Sequence, residues 1–136
     1  MVLKILAIGD TANNAYMLSK IVFKSKIDII NFPRIGAAKF TYADNVKFFE
    51  SHLISEQVNK INEIKSKYDL CFVSSWEGAR VAFLANVNYV FFFVGGSANE
   101  QPFIKNAQTS YLKEPIHKKN FFERLFLKQV LDSATS

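Results

Sequence analysis

The chain has 136 residues, 49% of them hydrophobic and 21% charged, a balance that fits one globular domain with a real core and argues against disorder. Lys and Arg total 17 against 12 acidic residues, a net +5, which permits nucleic acid, an anionic membrane or a phosphorylated ligand and selects none of them. Only Arg34, Arg80 and Arg124 are arginines, which weakens a base-reading role, since bidentate base contacts are dominated by arginine.

The first strand is predicted over residues 2–8, and Gly9-Asp10-Thr11 makes the turn that follows it. Residues 12–24 carry Ala15, Leu18, Ile21 and Val22 on one helical face. A second strand over 27–32 is stopped by Pro33, which has no N–H to give to a ladder. Residues 33–52 are irregular, with a short helix expected near 45–49. A loop of that length in a compact domain is usually functional.

From Ile54 the spacing Ile54, Val58, Ile61, Ile64, Tyr68 predicts an amphipathic helix with Lys60, Lys65 and Lys67 outside. It leads into a third strand over 70–74. Ser75 is a candidate cap for a short helix over 77–85, whose positive end Glu77 favours. The fourth strand, 89–94, is very apolar and ends in Gly95-Gly96. The chain holds 14 Phe. Each contributes on the order of 1.5–3 kcal/mol when buried, so Phe91, Phe92 and Phe93 are assigned to the core.

Residues 95–119 are loop. Asn120 with Glu123 three positions later predicts a final helix, its apolar face given to Phe122, Leu125, Phe126, Val130 and Leu131. This last crossover has no strand after it. Either sequence beyond Ser136 continues the sheet, or a terminal helix simply packs on it.

Apolar runs alternating with helices predict βαβ units. The expected fold is α/β: a Rossmann-like, doubly wound, mainly parallel sheet of about four strands with helices on both faces, in a single domain over 1–136. Cys71 lies in an apolar strand, so no disulfide framework exists and a small buried hydrophobe is expected rather than a reactive thiol. No secretory signal is evident, because Lys4 interrupts the first apolar run. No stretch approaches the length of a membrane span.

In parallel sheets ligands lodge outside the carboxyl ends of the strands. Four turns converge there: Gly9-Asp10-Thr11, Pro33-Arg34, Ser74-Ser75-Trp76-Glu77 and Gly95-Gly96-Ser97. One glycine after the first strand is short of a dinucleotide fingerprint, and no phosphate-loop motif occurs. Asp10 suits a ligand hydroxyl or, with more weight, a helix cap. Asn13 and Asn14 fall in the first helical turn, within reach of the cleft or simply solvated. Trp76 beside Glu77 and two hydroxyls suits a sugar, whose C–H face stacks while its hydroxyls bond the acid. A helix start with Trp76 packed over the sheet edge is weighted equally. Gly95 and Gly96 admit a close ligand or a flexible turn. His52 and His117 lack metal-ligand spacing, so no metal site is expected. Residues 111–131, basic and aromatic, suit an anionic membrane surface as a minority reading beside ordinary core packing.

With these turns placed, the chain resembles the amino-terminal half of a two-domain glycosyltransferase of the B-type fold, family 4-like. The resemblance rests on the opening strand through Gly9 with its Asp10 to Asn14 turn, the Tyr68 to Glu77 strand and loop, the Val94-Gly95-Gly96 turn and the final helix. It implies that this half binds the acceptor, a sugar or lipid-linked hydroxyl, and that a nucleotide-sugar is held only with a second domain. The acceptor-side positions it implies are Gly9, Asp10, Ser75, Trp76, Glu77, Gly95 and Gly96. Thr11, Asn14 and Arg34 join them as neighbours in the converging turns. No catalytic residue, metal or cofactor is assigned. Ser97 follows the glycines where a charged residue is expected.

With Cys71 as the single cysteine and no disulfide framework, a reducing compartment is expected, hence a cytoplasmic chain, peripheral on the inner face of the membrane if 111–131 touches it. The alternative is a non-enzymatic, flavodoxin-like domain binding a small molecule or partner. A phospho-receiver is disfavoured, because Ser74-Ser75 stands where an Asp is needed. A nucleic-acid binder ranks last, and no specific nucleic acid is expected.

Overall fold

The computed structural model describes residues 3–10, 14–21, 27–33, 46–92 and 120–134. Among these residues five strands form one sheet: β1 (Ile5–Ile8), β2 (Ile27–Asn31), β3 (Val46–Phe48), β4 (Leu70–Val73) and β5 (Tyr89–Phe91). Their order is β3-β2-β1-β4-β5 and every neighbouring pair is parallel. The helices are α1 (Asn14–Ile21), α2 (Ile54–Ile64), α3 (Trp76–Leu84) and α4 (Phe121–Asp132), with a 3-10 turn, Lys65–Lys67, closing α2. The Rossmann-like α/β architecture is therefore present, with five strands instead of about four.

The extra strand corrects the helix expected near 45–49. Val46, Lys47 and Phe48 pair with Ile29, Ile30 and Asn31 of β2. Three residues are too few to reveal a period. The β-branched Val46 and aromatic Phe48 suit an edge strand, where Lys47 and Phe48 stay exposed.

Strand side chains alternate between faces, and the two faces make two cores. On one face Leu6, Ile8, Ile30, Cys71, Val73, Tyr89 and Phe91 pack against Ile61 of α2, Val81 of α3 and Val130 of α4. On the other, Ile5, Ala7, Ile27 and Ile29 pack with Ala15 of α1. Helices thus cover both faces. The α2 face expected from its spacing is present, with Ile61 fully buried and Ile54, Val58, Ile64 and Tyr68 packed around it.

Two core assignments change. Phe91 is buried, whereas Phe92 is 44% exposed, because alternation sends it to the face where Phe72 meets it at 5.7 Å. Phe93 lies outside the described residues. In α4 the buried positions are Leu127 and Val130, while Phe122 and Leu125 are exposed. Phe126 lies between these faces and meets Phe83 of α3. The Tyr89 hydroxyl, buried in the sheet, donates to the Val130 carbonyl and fixes which side of α4 faces inward.

Candidate functional site

Strand order reverses between β1 and β4, so the turns after these two strands depart to opposite faces and leave a crevice at the carboxyl edge. The two turns are joined there. Ser74 Oγ donates to the Gly9 carbonyl at 3.0 Å, and Gly9 N–H donates to the Ile30 carbonyl at 2.9 Å. Gly9 has φ +76°, and a Cβ on it would lie 2.7 Å from the Phe32 ring and 3.1 Å from Ser75 Oγ. Glycine here answers both a left-handed backbone and a lack of space.

Asp10 is 1% exposed and acts as the cap of α1. Its two carboxylate oxygens accept from Ala15 N–H at 3.1 Å and Tyr16 N–H at 2.9 Å. Its own N–H donates to Asn31 Oδ1 at 2.5 Å. Asn14, at the start of α1, buries Nδ2 with no hydrogen-bond partner.

Ser75 caps α3, Oγ accepting from Gly78 N–H at 3.1 Å. That first turn sits directly on β1: a Cβ at Gly78 would collide with the Ile8 carbonyl oxygen. Trp76 is half-buried and meets Phe91 edge-on, centroids 5.0 Å apart and planes at 88°. The packed helix start is thus the arrangement Trp76 adopts. Glu77 beside it is exposed.

A cleft of about 240 Å³ opens next to this junction. Phe32 and Pro33 border it after β2, His52, Ile54 and Gln57 around the start of α2, and Glu77, Arg80 and Val81 along α3. Gln57 is buried and held by its Nε2 bond to the Ser51 carbonyl at 2.9 Å. The Arg80 guanidinium lies 5.8 Å from the centre of the Phe126 ring, a cation–π contact that steadies it.

Of the residues expected at the site, the structure brings Gly9, Asp10, Ser75, Trp76 and Glu77 to one edge, with Asn14 at the start of α1. Thr11, Arg34, Gly95 and Gly96 lie outside the described residues, as do His117 and Ser97. Among the described residues of the expected set, Glu77 alone lines the cleft. Asn31, His52 and Arg80 were missed. Asn31 carried a signal, being a polar residue at the carboxyl end of an apolar strand. Arg80 carried another, lying one helical turn beyond Glu77 on the same face.

No family model, curated protein or solved structure matches the chain. Among the described residues no cluster of His, Cys, Asp and Glu is arranged to hold a metal ion, and no helix is long and apolar enough to cross a membrane.

Proposed function

We propose that this chain is the acceptor-binding half of a B-type-fold glycosyltransferase, family 4-like, which presents an acceptor hydroxyl to a nucleotide-sugar held by a second domain. By itself it transfers no sugar. The observation that carries the reading is the reversal of strand order between β1 and β4, with the turns after both strands tied by the Ser74–Gly9 bond. Glu77 stands exposed at that edge as a carboxylate that suits an acceptor hydroxyl, next to Trp76, which packs on Phe91. The competing flavodoxin-like reading is disfavoured by the same sheet, because that fold runs 2-1-3-4-5 and this one runs 3-2-1-4-5.

Trp76 is the single tryptophan, so its fluorescence reports on this edge alone. Titration with neutral sugars and lipid-linked saccharides should change it saturably, while nucleotide-sugars leave it unchanged. Transfer should appear only when a donor-binding domain is added in cis or in trans. Binding of nucleotide-sugars without any acceptor would overturn the proposal.

The reading extends to location: a cytoplasmic chain resting on the anionic inner face of the membrane through residues 111–131. It is supported by Phe121, Phe122 and Leu125, 62%, 80% and 39% exposed at the start of α4. Flotation with phosphatidylglycerol vesicles tests it. Co-flotation lost in Phe121→Ser/Phe122→Ser supports the location, and equal flotation of both proteins, or none, refutes it.

A further inference from the structure

We draw no further inference here: the strongest candidate, the groove between β3 and α2 lined by Phe48, Glu50, Glu56 and Glu63, is an exposed acidic cluster in which nothing else points to a ligand, since Glu63 pairs with Lys60 at 3.2 Å and the buried Gln57 already donates to the Ser51 carbonyl.

Discussion

Asp10 and Asn31 close the carboxyl ends of two adjacent strands: the Asp10 N–H donates to Asn31 Oδ1 at 2.5 Å, and both residues are buried. The same Asn31 offers its carbonyl to Phe49 N–H at 2.8 Å, just past β3. One side chain thus sets the turn after β1 and its backbone sets the exit from β3. Removing the amide leaves a buried N–H without an acceptor, which costs about 1–3 kcal/mol. Asn31→Ala should lower urea-unfolding stability by that amount and broaden the amide signals around Gly9 and Asp10. A loss confined to stability, with those signals unmoved, would remove Asn31 from the organisation of the site.

Gly78 sets how closely α3 approaches β1. Because a Cβ there collides with the carbonyl oxygen of Ile8, a backbone atom inside the sheet, neither partner has room to yield. Gly78→Ala should cost about 3 kcal/mol or more. Gly9→Ala meets the flexible edge of Phe32 but must hold φ +76°, so roughly 1–3 kcal/mol is expected. Chemical denaturation of the two variants side by side checks the ranking. Equal, small losses would mean that α3 can slide along the sheet.

Most of the fold was legible because long apolar runs and helical spacing are repeated signals. The strands around Ile5, Ile29, Cys71 and Tyr89 and the helix through Ile61 each had four or more agreeing positions. What failed was short or one-sided. β3 has three residues, two of them exposed, and no period survives at that length. The α4 face was misread because Phe122 and Leu125 are apolar without being inward. Tertiary contacts decide its rotation: the bond from Tyr89 to Val130, made across 41 positions, and the packing of Phe126 on Phe83.

The site was partly legible for the same reason. Asp10, Ser75 and Glu77 follow strands directly, whereas His52 and Arg80 reach the cleft only because α2 and α3 pack on one face of the sheet. Strand order, which makes the crevice, is a tertiary outcome that no local pattern records.

Tyr89 is the tie between sheet and last helix. Tyr89→Phe removes the hydroxyl and leaves the Val130 carbonyl without that donor, at a cost of about 1 kcal/mol. Because Val130 also belongs to the helix ladder, the loss should appear first as faster hydrogen exchange across Phe121–Asp132, with exchange in β1 and β4 unchanged. Uniform acceleration everywhere would instead mean that α4 unfolds only with the whole domain.

Alkaline pH tests the burial of three acids. Burial pushes the Cys71 thiol up from its ordinary 9.0 to about 11 and the Tyr89 phenol from 10.0 to about 12. The Tyr68 phenol also rises to about 12, through burial first and then through its hydrogen bond to Asp28 and the charge there. Each folded value lies above the unfolded one. The unfolded chain therefore ionises first as pH rises, and stability, fully present below about pH 9, declines from there toward pH 12. Cys71, 3% exposed, should open that decline, so urea midpoints should fall between pH 9 and 10 in the wild type. In Cys71→Ala the fall should begin about one unit higher, where the tyrosines take over. At pH 8 a thiol reagent should label native Cys71 only as fast as the domain opens, since burial keeps the thiol protonated and out of reach. Rapid labelling at pH 8, or midpoints that stay level to pH 11, would contradict the packing of Cys71 between β1 and β5.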